Sequence, residues 1–230
     1  MTYSYILNHF IKKEGKGLNL TFAYETYYLI LLHILSILIL LFVNYSIWIK
    51  AKKIPLLYSY LAVQVILLIW MVSKIFKTIA PNTAVKYLFV VCQYTGVCFL
   101  GVVFFIFAYM YTAGKMPDRK IIVMLAVPSA FFLIVIITNP YHMLFYSHFD
   151  FWEDSFGPLF YFHQAYSYAL LLAGLFLCSR NFTRQFGQKR VQALLFSIAI
   201  IVPIAANMLY IFGWFEHVFG FAPPCDITPI

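Results

Sequence analysis

Six stretches of nearly unbroken apolar sequence, roughly 27–49, 56–76, 85–112, 121–138, 159–179 and 191–212, are separated by short polar or aromatic segments. Each is near the ~20 residues that a helix needs to cross a hydrocarbon core of about 30 Å. Within lipid a backbone must satisfy its own hydrogen bonds, which leaves helices and closed barrels. Barrel strands would alternate in polarity, and these runs do not. The pattern predicts an all-α polytopic transmembrane helix bundle of six spans. An outer N-terminal segment over 1–26 precedes a membrane domain over 27–230.

The polar residues between the runs are sorted by sign. The segments after runs one, three and five hold Lys50, Lys52 and Lys53, then Lys115, Arg119 and Lys120, then Arg180, Arg184, Lys189 and Arg190, ten of the 16 basic residues. Seven of the eight acidic residues, all but Asp118, fall in the other set. Lys and Arg are retained in short cytoplasmic loops, so this alternation places both chain ends outside. Lys12, Lys13 and Lys16 run against the pattern and are partly offset by Glu14 and Glu25.

Composition agrees with a chain that faces lipid. Hydrophobic residues make up 63% and charged residues 10%, against about 45–50% and about 25% in soluble domains. The net charge of +8 follows topology, with basic loops lying against anionic headgroups. No basic face on a soluble fold is present to hold a nucleic acid. Membrane lipids are the expected surroundings, in the plasma membrane. Cys92, Cys98 and Cys178 lie inside apolar runs as small packing residues, and with Cys225 alone in an outer segment no disulfide framework follows. Tyr24, Tyr27, Tyr28, Trp48, Tyr58, Trp70, Tyr87, Tyr109, Tyr111 and Trp214 fall where interfacial aromatic belts are expected.

Polar groups are costly within a membrane, so their depth is the best guide to a site. His33 on the first helix, Gln93 and Tyr94 on the third, His163 and Gln164 on the fifth, and Asn207 on the sixth share the outer half of the bundle. A ligand pocket opening outward accounts for this band; so do interhelical hydrogen bonds that act as modest glue. Gln64 and Asn44 lie at other depths and read as packing contacts. Pro128 and Pro203 each remove a backbone donor inside a helix and free carbonyls for a partner. Asn207, four residues past Pro203, could serve one of them. The segment 139–157 has no Lys or Arg and many aromatics, which suggests a lid over the bundle mouth. Its His142, His148, Asp150, Glu153 and Asp154 match no compact metal motif.

Enzymatic signals are missing. The chain has no G-x-S-x-G, no H-E-x-x-H and no Walker lysine. A retinal Schiff base would need a lysine deep in the bundle, whereas Lys74, Lys77 and Lys86 flank a connection, at helix ends from which they can snorkel. No cofactor and no metal are implied.

One ordered series of short motifs remains. Phe107-x-x-x-Tyr111 closes the third helix, and Thr138-Asn139-Pro140-x-His142 follows the fourth. Gly157-Pro158 with Tyr166-x-Tyr168 opens the fifth. Pro203-x-x-x-Asn207-x-x-Tyr210 lies in the sixth, and Asp226-Ile227-Thr228-Pro229 comes after it. The series resembles the seven-transmembrane N-terminal sensor region of bacterial histidine kinases, from about Leu31 onward. The resemblance implies a membrane sensor ahead of cytoplasmic output modules, and a seventh helix after Asp-x-Thr-Pro. The sequence ends at Ile230, before such a helix, a phosphoacceptor motif or an ATP-binding domain. The expectation is a sensory domain without its own catalytic module, which binds a small or lipophilic ligand through His33, Gln93, Tyr94, His163, Gln164 and Asn207. A separate kinase module or a second copy of the chain would be its partner. A small transporter and a structural subunit of a membrane complex are the rival readings.

Overall fold

The computed structural model describes residues 17–149 and 154–182, with side chains over 27–149 (Leu29 excepted) and 155–179, and isolated helical positions between 198 and 208. Within these residues the chain forms α1 (Gly17–Lys50), α2 (Pro55–Thr78), α3 (Thr83–Ala113), α4 (Arg119–His142), a hairpin of β1 (Tyr146–Phe149) and β2 (Asp154–Phe156), and α5 (Pro158–Phe182).

Four of these helices are long and apolar enough to cross a membrane: 30–50 within α1, then α2, α3 and α4. Six spans were expected. The fifth run does form a helix of 25 residues, but His163, Gln164, Tyr166, Ser167 and Tyr168 crowd its first half and dilute its apolar character. The sixth run lies largely outside the described residues. Two helices overrun their apolar stretches. α1 begins at Gly17, ten residues early, and α4 continues through Asn139 and Pro140 to His142.

Local chemistry sets the other boundaries. Pro55 opens α2, where its missing N–H costs nothing. Asn82 caps α3, its Oδ1 accepting from the Val85 N–H at 2.9 Å. α3 ends at Gly114, whose φ of 70° needs a residue without a Cβ.

α3 is the hub, packed against α2, α4 and α5, while α1 packs on α2. Small residues let the helices approach closely. A Cβ on Gly101 would stand 3.1 Å from both the Ser167 carbonyl and Leu170 Cβ of α5. On α1 the large apolar side chains Leu31, Leu35, Leu38, Ile39 and Phe42 remain exposed, as a lipid-facing helix requires.

Two tyrosines reach the backbone of α4 near its internal prolines. Pro140 has no N–H to offer the Ile136 carbonyl, and the Tyr87 hydroxyl of α3 donates to that oxygen at 2.5 Å. Pro128 likewise leaves the Met124 carbonyl without its helical donor. Next to it, the Leu125 carbonyl accepts from the Tyr166 hydroxyl of α5 at 2.5 Å. Of the prolines read from the sequence as freeing carbonyls, Pro128 has the Tyr166 bond on the neighbouring carbonyl and not on the Met124 oxygen it frees, and Pro203 lies outside the described residues. The freed carbonyl that is bonded, Ile136, belongs to Pro140.

Candidate functional site

The site is built around the turn from α4 into the hairpin. α4 ends at Met143 in the left-handed conformation, φ 54°, with its N–H on the Asn139 carbonyl at 2.8 Å. That reversal brings the next residues back over the helix end. The side chain of Asn139, buried at 3% exposure, then clamps them. Its Oδ1 accepts from Phe145 N–H at 2.8 Å and Tyr146 N–H at 3.0 Å, and its Nδ2 donates to the Tyr146 carbonyl at 3.1 Å. His142 adds a further tie: Nδ1 accepts from Leu144 N–H at 3.0 Å, and Nε2 lies 3.1 Å from Thr138 Oγ1. Pro140 itself is exposed. The Thr138-Asn139-Pro140-x-His142 series is therefore a clasp on the backbone.

The far side of the hairpin is tied just as closely. Gly157 N–H donates to the Phe145 carbonyl at 2.8 Å, and Leu159 N–H to the Leu144 carbonyl at 3.0 Å. A Cβ on Gly157 would stand 2.3 Å from the Leu144 oxygen, so the strands can close only on glycine. Phe156 stacks on Phe160 of α5 with centroids 3.7 Å apart, and Phe149 meets Tyr87 of α3 edge-on at 5.0 Å. Lys86 sits 5.3 Å over the Phe149 ring. The described part of the segment expected to act as a lid is tied to α3, α4 and α5.

Phe145 and His163 are fully buried beneath it, both at 0% exposure. Around His163 stand Phe132 of α4 at 5.3 Å, Phe145 at 5.7 Å and Tyr94 of α3 at 5.8 Å, all edge-on. Its Nε2 is 3.4 Å from Ser167 Oγ one turn along α5, and its Nδ1 has no hydrogen-bond partner. The Tyr94 and Tyr146 hydroxyls meet at 3.3 Å, which fastens the hairpin to α3 once more.

Of the six expected ligand contacts, Tyr94 and His163 come together here. Gln93 turns elsewhere. One turn before it Phe89 stacks on Phe76, and one turn after it Gly96 abuts Ile66 and Ile69, so its face of α3 is the one toward α2. Its Oε1 is buried without a partner. His33 is buried at 3% on α1, the helix packed on α2. Gln164 is half-buried beside His163 on α5. Asn207 and the motif residues Pro203, Asp226, Thr228 and Pro229 lie outside the described residues.

Lys74 departs from expectation. It is buried at 4% exposure within α2, where snorkelling toward water was expected. No group of three metal-ligating side chains occurs among the described residues. The sequence reading missed Phe145, Phe132 and Ser167 as members of the cage; the aromatic density of 139–157 was the one signal pointing to Phe145.

A bundle of helices long and apolar enough to cross a membrane, with an aromatic hairpin packed over buried polar groups, is the architecture of an integral membrane domain. The family model for the N-terminal 7TM region of histidine kinase matches residues 31–230, and the chain belongs to that family. The matched region is the membrane sensory part of such kinases, and the match includes no catalytic domain. No curated protein and no solved structure was found to match the chain.

Proposed function

We propose that this chain is the signal-receiving membrane domain of a histidine-kinase-type sensor, and that it takes a small or lipophilic ligand beneath the hairpin. The observation that carries the reading is the meeting of Tyr94 and His163, from α3 and α5, under a hairpin whose own residues complete the enclosure. A ligand shifts an equilibrium only by its differential affinity for two states. Here the two states differ in whether the hairpin is seated. α3 and α5 run from the cage to the opposite end of the bundle, where Thr112 Oγ1 donates to the Leu177 carbonyl at 3.3 Å. In this reading a change at the cage is passed along these two helices to their far ends. Gln164 flanks His163 on α5, Gln93 and His33 stand apart from the cage, and Asn207 is kept as a proposed contact.

The basic loops set the orientation proposed with it: hairpin and N-terminus outside, Lys50, Lys115 and Arg180 inside, and six spans in one domain over 27–230 behind an outer segment over 1–26. A kinase module in the cytoplasm, with or without a second copy of the chain, would read the inner ends.

The test uses spin labels at Lys115 and Ser179, in a chain whose four cysteines are replaced by alanine. Asn139→Ala should release the hairpin and shift the distance distribution between the two labels. A distribution identical to that of the parent, in a variant still folded by its fluorescence, would remove the case for transmission.

A further inference from the structure

Phe145 lies in a connecting segment, and such segments ordinarily run over the surface. Its ring is nonetheless fully enclosed. Tyr94 meets it at 5.1 Å, Tyr146 at 5.4 Å, Phe160 at 5.6 Å and His163 at 5.7 Å, each edge-on. Its backbone is gripped on both sides, the N–H by Asn139 Oδ1 and the carbonyl by Gly157 N–H. The ring is thus inserted into the helices on a two-stranded tether and is not part of any helix.

Beside that ring, His163 Nδ1 is buried and unpaired. Buried polar atoms nearly always have partners, and one left without carries its whole desolvation cost. Phenylalanine can supply shape to this cage but no hydrogen bond. The cage has a place for a ring, a neighbouring imidazole with one unpaired nitrogen, and walls of aromatic carbon.

We propose that Phe145 stands in for a ligand, and that the ligand is an uncharged molecule with one flat ring and one hydrogen-bonding group. It displaces Phe145, sits among Tyr94, Tyr146, Phe160 and His163, and pairs with Nδ1. An anion entering these aromatic walls would lose its hydration without compensation, and none of the residues named around the ring is a carboxylate that would hold a cation, so the ligand is taken as neutral. A hydroxyl serves either tautomer of the histidine, since it both donates and accepts. This inference rests on the reception reading and gives its ligand a chemical class.

Phenol and toluene, which differ in the hydrogen-bonding group, are the probes, and the full chain in lipid nanodiscs is the sample. Removing the stand-in by Phe145→Ala should leave an apolar cavity of the kind that stays dry and takes up benzene. Both probes should then raise the unfolding temperature, phenol at about tenfold lower free concentration, the worth of about 1.4 kcal/mol. Adding His163→Leu to that variant should keep toluene binding and abolish the preference for phenol. Should Phe145→Ala not fold, the unmodified chain serves: phenol, and not toluene, should accelerate amide exchange at Phe145 and Tyr146 as the ring leaves. Binding of neither probe, a phenol preference that survives without His163, or exchange unmoved by saturating phenol would each overturn the proposal. The spin-label distances separate it from the reception reading. Phenol binding that leaves them unmoved sinks reception alone, and distances that respond to Asn139→Ala with no phenol binding sink the ligand class alone.

Discussion

The hydroxyl of Tyr87 on α3 occupies the carbonyl of Ile136 on α4 at 2.5 Å, at the position where Pro140 withholds the helical N–H. In water a solvent molecule would fill that vacancy; in the bilayer core none is at hand. The proline therefore lets α4 run one turn past its apolar stretch while offering α3 an acceptor. Tyr87→Phe removes the donor and keeps the ring that meets Phe149. The expected loss is about 0.5–1.7 kcal/mol, the range for interhelical hydrogen bonds in membranes. A denaturant series in mixed micelles measures it. No loss would mean that the Ile136 oxygen is satisfied without the tyrosine.

Gly157 sets a sharper condition. Its missing side chain leaves room for the Leu144 carbonyl, which a Cβ would approach to 2.3 Å. That oxygen is backbone and is itself held by the Leu159 N–H, so it cannot simply move aside. Gly157→Ala should unseat the hairpin and cost more than Gly114→Ala, where the strain is only the positive φ of 70° and nothing lies within 4 Å. A penalty of about 1–2 kcal/mol is the scale for a Cβ in the left-handed conformation at that exposed cap. The comparison is made by amide exchange at Phe145 and Tyr146 together with thermal unfolding of both variants. Equal effects would mean that the hairpin tolerates the side chain and that the clasp is looser than its geometry implies.

How much of this was legible beforehand depends on the length scale. Runs of twenty apolar residues identify helices because lipid demands them, and four spans follow from hydropathy alone. Shorter-range features were less visible. The strands Tyr146–Phe149 and Asp154–Phe156 are too short and too aromatic to show an alternating pattern, and only the lid-like role of their segment could be read. Asn139 stood out within a motif, but its partners are backbone atoms six and seven residues on, which no side-chain pattern announces. Depth also proved a blunt guide. Gln93 and Tyr94 share a level, yet adjacent helical residues point about 100° apart. One therefore faces α2 while the other reaches the cage.

Topology gives the last prediction, because the sign of the loop charges and the position of the hairpin make one joint statement. The hairpin follows α4, whose start is flanked by Lys115, Arg119 and Lys120. If those charges are held in the cytoplasm, the hairpin must lie outside. Ser147 is exposed on the hairpin and Lys115 is exposed just past α3, so single cysteines at the two sites are open to reagents. In intact cells a membrane-impermeant maleimide should label Ser147→Cys and spare Lys115→Cys until the membrane is opened. The native cysteines are removed first, as for the spin labels. The reverse pattern would turn the bundle over. The cage beneath the hairpin would then face the cytoplasm, and its ligand would have to come from within the cell.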